Sequence, residues 1–297
     1  MRVLLSGSTG LIGGELLWRL KAEGHHVTRL VRSPASFPEP VVVWDCHNGP
    51  FDPAELSPID AVIHLAGENI STGRWTAARK ERIRSSRVDS TRLLAEAIAR
   101  AAQPPAVFIV ASAVGYYGDR GNELVTEDSA PGTDFLAQVV LDWEAAAKPA
   151  AEAGVRVVHT RFGVVLSSRG GALAKMLPLF RAGVGGRLGS GNQFMSWVAL
   201  EDATAAIAHA LTTDTLRGPV NVVAPNPVTN REFTQALGAA LGRPTFFVVP
   251  RVALRLVYGE MADATLLSST RASAEKLVSS GFSFRHPTLE TVLNVLG

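Results

Sequence analysis

Seven residues near the N-terminus, Gly7-Ser8-Thr9-Gly10-Leu11-Ile12-Gly13, have the types and spacing to hold a phosphate group. Gly7 permits a tight turn, Gly10 lets the backbone approach a pyrophosphate, and Gly13 lets the following helix pack close to a strand. The free amides and positive dipole end of a helix beginning at Leu11 would then face the phosphates. An apolar run precedes the turn and a helical pattern follows it, the context that separates a dinucleotide site from an ordinary glycine-rich turn. The second apolar run ends Leu30-Val31-Arg32-Ser33. An acid at that place would hold the ribose 2′-hydroxyl of NAD, whereas the fork of Arg32 suits a 2′-phosphate and Ser33 adds a hydroxyl. The expected cofactor is therefore NADP rather than NAD, unless Arg32 is only a solvated strand end. Asp45, closing the third run, is either a partner for the adenine amino group or a turn cap.

These residues need a scaffold of alternating strands and helices. Apolar runs at 3–6, 26–31, 41–44, 61–66, 106–112 and 155–161 alternate with helical patterns at 11–22, 76–102 and 135–153. Continuous apolar strands separated by helices predict a doubly wound α/β fold, a parallel sheet covered on both faces. Residues 1–165 form the expected dinucleotide-binding domain, with the sheet completed by 196–224. Residues 166–195 and 225–297 form a smaller C-terminal substrate lobe. Glu68 and Asn69 follow the fourth strand at the carboxyl edge of the sheet, where ligands bind in such folds. Glu68 is a candidate general base or a turn cap. The glycine-rich stretch 183–191 is a candidate lid or a set of turns.

Composition excludes several classes. The chain has 297 residues, 46% of them hydrophobic, and a formal net charge of +2, so it is a folded globular protein with no call for a nucleic-acid or membrane partner. The basic run at 79–87 reads as a solvated helix face. A single cysteine, Cys46, rules out an intrachain disulfide. No apolar run has membrane-spanning length, and residues 1–6 lead straight into the glycine turn, so the expected location is the cytoplasm. No His, Cys and carboxylate grouping has the spacing of a metal site.

The glycine turn, His64-Leu65-Ala66-Gly67 and Ala111-Ser112-Ala113-Val114-Gly115-Tyr116-Tyr117-Gly118 together resemble the extended short-chain dehydrogenase/reductase superfamily, which includes nucleotide-sugar epimerases and dehydratases. Further stretches resemble its atypical "epimerase family" branch. They are Arg161-Phe162-Gly163-Val164-Val165-Leu166-Ser167, Gly170-Gly171-Ala172-Leu173-Ala174-Lys175-Met176-Leu177-Pro178, and Ser196-Trp197-Val198 with Asp202. Gly281-Phe282-Ser283-Phe284 with Pro287-Thr288-Leu289 resembles the C-terminal domain of that branch. The resemblance implies the fold and the cofactor and supplies no substrate. It adds His64, Leu65, Ala66 and Gly67 to the cofactor contacts, His64 in a structural or contact role. It sets Gly115 and Gly163 near the nicotinamide, and it allows a homodimer.

The superfamily's usual chemistry pairs a Ser or Thr with Tyr-x-x-x-Lys, the Tyr exchanging a proton while the nicotinamide moves a hydride and the Lys lowers the Tyr pKa. Here Ser112 ends the fifth strand, but the usual serine position falls on Ala113. Tyr should fall at Phe135 or Leu136 and Lys at Val139 or Val140, and neither is present. Lys148 lies too far along the helix to substitute and is expected to pair with Glu144 at i, i+4. Tyr116 and Tyr117, at the carboxyl edge, are candidate replacement acids or packing residues. Arg87 stands where the superfamily has an Asn below the active site, so it could bind an anionic substrate group or the cofactor. Two functions remain open. One is an NADP-dependent oxidoreductase or epimerase-like enzyme on a small polar molecule. The other is a non-catalytic NADP-binding regulatory or scaffold protein.

Overall fold

The computed structural model describes residues 1–33 and 36–294. Seven parallel strands form the central sheet: β1 (Arg2–Ser6), β2 (His26–Val31), β3 (Val41–Val43), β4 (Ala61–His64), β5 (Val107–Ala113), β6 (Arg156–Phe162) and β7 (Gly218–Val222). Their spatial order is β3-β2-β1-β4-β5-β6-β7. The order reverses between β1 and β4, and a ligand crevice opens at such a switch point. Val3, Leu4, Leu5, Ala61, Val62, Ile63 and 107–110 are all buried, as a sheet covered on both faces requires.

Helix α1 (Leu11–Ala22) buries Gly13, Leu16, Leu17 and Leu20, and Gly24 in the left-handed region (φ 81°) ends it. It packs against α5 (Leu200–Thr212), whose small alanine side chains permit close approach. Helices α2 (Ala77–Arg100) and α3 (Phe135–Ala145) cover the other face. Thr76 and Asp134 cap these two by accepting the Arg79 and Ala137 amides. The helical pattern at 135–153 breaks after Ala145, and a short turn, Lys148–Glu152, resumes with Pro149 in its first positions.

A second core joins α4 (Gly171–Arg181) to α6 (Asn230–Ala240) through Leu173, Leu177, Phe180, Trp197, Phe233 and Leu237. The motif residues of the two halves meet at Asp202. Its buried carboxylate accepts the Arg285 and His286 amides, both at 2.8 Å, and so holds the C-terminal segment on α5. Among the described residues no helix is long and apolar enough to cross a membrane.

One open expectation resolves and one changes. Of the lid and the turns expected at 183–191, the stretch forms turns held by strand pairing. Residues Gly186–Leu188 pair with Phe247–Val249, Arg187 donates to the Gly189 and Ser190 carbonyls, and Asn230 accepts the Leu188 amide. Lys148 pairs with Glu152 at 3.2 Å rather than with Glu144. The helix break turns Lys148 outward, and Glu144 is claimed by Arg161 on the inner side.

Candidate cofactor and substrate site

The glycine turn has no room for a side chain at Gly7 or Gly13. Gly7 has φ 70°, and a Cβ there would lie 2.7 Å from the Leu65 carbonyl carbon. A Cβ on Gly13 would lie 2.1 Å from the Gly7 carbonyl oxygen. The turn thus presses on the Leu65-Ala66 backbone and on its own helix. Unlike α2, α3 and α6, α1 begins at Gly10 with no side-chain cap. Its first amides are left for an external acceptor, and Thr9 and Gly10 are exposed there. Ser8 is buried and accepts from Arg29 at 3.3 Å. Gly170 and Gly171 abut the Leu11 side chain, and Arg169 pairs with Glu15 at 2.5 Å, so the loop after the Val164–Ser167 strand covers the start of α1. Ile12 is half-buried against the core.

A buried relay fixes the turn to the fourth strand. Ser6 Oγ accepts the Leu65 and Ala66 amides at 3.1 and 3.3 Å and donates to His64 Nδ1 at 2.6 Å. His64 Nε2 donates to Ser90 Oγ at 2.9 Å, which donates to the Ser86 carbonyl at 2.8 Å. The draw of Ser6 on these amides explains why β4 ends at His64 and not at Ala66. His64 is 1% exposed with both ring nitrogens engaged, so it supports the turn from beneath and does not reach a ligand. Burial pushes its pKa down to about 4. The unfolded chain therefore binds a proton that the native state refuses between about pH 6.5 and pH 4, and stability falls with pH in that window. From pH 7 to 4.5 this group removes on the order of 2 kcal/mol. Burial also pushes His159 down, so the quantity to measure is the difference between wild type and His64→Gln. Urea unfolding at both pH values should show a shallower acid loss in the variant. An identical loss in both proteins would contradict the assignment.

At the end of β2, Arg32 and Ser33 are exposed beside the turn. Asp45 caps a 3-10 turn by accepting the His47 amide at 3.0 Å, the capping alternative of the two expected. Asp45, Cys46 and His47 also bring three potential ligand atoms within 4.8 Å of one another, which spacing alone had not suggested.

The next loop is anchored on α2. The Glu68 carboxylate binds the Arg79 guanidinium, which also donates to the Asn69 carbonyl. Ser86 accepts the Glu68 amide at 3.1 Å, and Asn69 Oδ1 accepts the Ser71 amide at 2.9 Å. Glu68 is thus an anchor in an ion pair. Gly67 is exposed, and a Cβ there would lie 3.2 Å from Arg87 Cζ.

Beyond β5 the expected catalytic hydroxyls enter a second buried network. Ser112 donates to Glu144 at 2.6 Å, and Arg161 binds both Glu144 oxygens at 2.8 Å. Arg161 also donates to the Tyr117 hydroxyl at 3.0 Å, which donates to Asn221 Oδ1 at 2.7 Å. Glu127 closes the network by accepting the Asn221 amide at 2.8 Å. Burial pulls the Arg161 guanidinium down, but the bonds and charge of Glu144 raise it further, and burial pushes Tyr117 up to about 12. Ser112 and Tyr117 are therefore satisfied core residues rather than groups poised for proton transfer. Tyr116 differs: it is half-buried, its ring lies 3.5 Å from Arg161 Cζ, and its hydroxyl takes no part in these bonds. Phe135 meets Trp75 edge-to-face, with Lys80 Nζ 4.8 Å from its ring, while Leu136, Val139 and Val140 are buried. Gly115 faces Leu136, and a Cβ on Gly163 would lie 2.6 Å from the Ser196 carbonyl oxygen, so Gly163 serves close packing of the β6 end against Ser196. The polar networks were not foreseen from the sequence; an Arg and a His inside apolar strands, Arg161 and His64, were the available signals.

The likeness to known proteins runs the length of the chain. Residues 3–223 match the model of the NAD dependent epimerase/dehydratase family, and residues 249–296 match a domain of unknown function. An epimerase family protein of Mycobacterium bovis is 47% identical over 292 residues, covering 98% of this chain and 96% of that one. The human epimerase family protein SDR39U1 is 38% identical over 296 residues, covering 99% and 98%. The crystal structure of human SDR39U1 (isoform 2) with NADPH superposes with a TM-score of 0.90 at 36% identity, covering 99% of this chain and 98% of that one. The structure of UDP-glucuronic acid 4-epimerase from Bacillus cereus in complex with NAD, 19% identical with a TM-score of 0.78 and covering 99% and 96%, shares the fold.

Proposed function

The chain belongs to the NAD-dependent epimerase/dehydratase family, and from that premise we propose that it is a cytoplasmic NADP(H)-dependent oxidoreductase or epimerase-like enzyme acting on a small polar molecule. The observation that carries this reading is the uncapped start of α1 behind a turn that excludes a Cβ at Gly7 and Gly13. That cradle fits a dinucleotide pyrophosphate, and Arg32 with Ser33 at the end of β2 fits a 2′-phosphate. The human relative crystallised with NADPH supports the choice of cofactor.

The bound nicotinamide would supply hydride exchange. The chain's own part is to position the substrate and manage a proton. Ser112 and Tyr117 serve the Glu144–Arg161 network, and the helix that ordinarily carries Tyr and Lys presents Phe135, Leu136, Val139 and Val140. Tyr116 is the remaining hydroxyl of the expected set and our assigned proton donor, held by the guanidinium beneath its ring.

The same apolar helix favours a second reading, an NADP(H)-binding regulatory protein without chemistry. Titration of NADPH by fluorescence, followed by a metabolite screen for cofactor oxidation or substrate isomerisation, separates the two. Turnover that is lost in Tyr116→Phe supports the enzyme. Tight binding with no turnover across a broad screen supports the regulatory protein.

A further inference from the structure

We propose that Arg87, brought against Gly67 at the floor of the β1/β4 crevice, receives a carboxylate or phosphate of the substrate, so that the substrate is a small acid. The proposal rests on the cofactor reading above and names the substrate class for that site.

The other inward-reaching cations of α2 have partners. Arg79 binds Glu68, Lys80 binds Glu260 at 2.5 Å, and Arg84 binds Asp142 at 2.9 Å. Arg87 makes one hydrogen bond, to the neutral Ile83 carbonyl of its own helix at 3.0 Å, and lies 5.2 Å from the Trp143 ring centroid. Among the described residues no carboxylate pairs with it. Glu68 is near enough to act on it, yet Glu68 is committed to Arg79. Burial pulls the Arg87 guanidinium down to about 10. A desolvated charge with one neutral acceptor and one ring face is under-compensated, and an arriving anion would supply what the fold does not.

The position fits a substrate. Gly67 follows the Leu65-Ala66 backbone on which the phosphate turn rests, and the absence of a side chain there lets the guanidinium lie against the loop that borders the crevice. The cofactor's phosphates already have the open amides of α1 and Arg32. Lys175, from α4 of the substrate lobe, reaches the other end of the same loop at Ser71 Oγ, 2.6 Å away, and supplies a second cation. A ligand with one anionic group on Arg87 would thus bridge the two lobes.

The test compares wild type with Arg87→Met, an apolar chain of similar length. In low-salt buffer without phosphate or carboxylates, relief of the under-compensated charge should raise the melting temperature of Arg87→Met above wild type by about 2 °C or more. Titrating inorganic phosphate or malonate into NADPH-saturated wild type, at constant ionic strength, should raise its melting temperature saturably. Glycerol at the same concentrations should not do so, and the anion effect should be at least tenfold weaker in Arg87→Met. NADPH affinity, measured first by fluorescence, should change less than threefold. Equal anion responses in both proteins would overturn the proposal. A tenfold loss of NADPH affinity in the variant would overturn it too, because Arg87 would then serve the cofactor. Failure of wild type to bind NADPH sinks the cofactor reading instead, and the anion titration without NADPH still reports on Arg87. If Arg87→Met does not fold, Arg87→Gln answers the same comparison.

Discussion

Glu144→Leu should destabilise the protein by about 3–5 kcal/mol, the usual cost of leaving one member of a buried ion pair without its partner. Glu144 accepts three bonds, two from Arg161 and one from Ser112, and Arg161 is 2% exposed. The Tyr117 hydroxyl would lose the order of its donor as well. The double variant Glu144→Leu/Arg161→Met should recover much of the loss, since removing both charges ends the mismatch. Urea unfolding of the two single variants and the double variant measures the coupling. A cost below about 1 kcal/mol for Glu144→Leu would show that the network is solvated and that Ser112 and Tyr117 are free for other work.

Gly13→Ala should lower NADPH affinity by at least about a hundredfold, close to 3 kcal/mol, and cost a further 1–3 kcal/mol of stability. The new methyl would lie 2.1 Å from the Gly7 carbonyl oxygen, well inside contact distance. That neighbour is backbone and cannot turn aside, so the phosphate turn must move off the helix. Gly14→Ala is the control. Its methyl would lie 3.7 Å from the Ser8 carbonyl oxygen, an ordinary contact at an exposed position. Affinity should be unchanged there, and stability should rise by up to about 1 kcal/mol from helix propensity. Equal behaviour of the two variants in a fluorescence titration would show that the turn is not the binding element.

Local chemistry explains what could be read in advance. The strands, the glycine turn and the crossover helices follow from short-range patterns of burial and backbone freedom, and these were legible. The apolar run continues to Ala66, but β4 ends at His64 because the amides of Leu65 and Ala66 go to Ser6, fifty-nine and sixty positions away in sequence. The partner of Glu144 departs from the local pattern for the same reason: the i, i+4 lysine loses to Arg161 on a neighbouring strand. Ser112 and Tyr117 looked reactive because hydroxyls at a sheet edge often are; only the acceptors on Glu144 and Asn221 reveal their structural use. Arg87 stands in the other direction, since a basic helix reads as a solvated face until each charge is matched with its partner.

On the proposed reading the N-terminal turn holds NADP(H) and Arg32 reads its 2′-phosphate. The most direct measurement is the pair of dissociation constants for NADPH and NADH, at constant ionic strength, in wild type and Arg32→Glu. Wild type should prefer NADPH. The variant should lose at least about tenfold in NADPH affinity, the 1.4 kcal/mol scale of one charge-assisted contact, while NADH binding holds or improves. An unchanged preference in Arg32→Glu, or a wild type that binds neither nucleotide, would contradict the account.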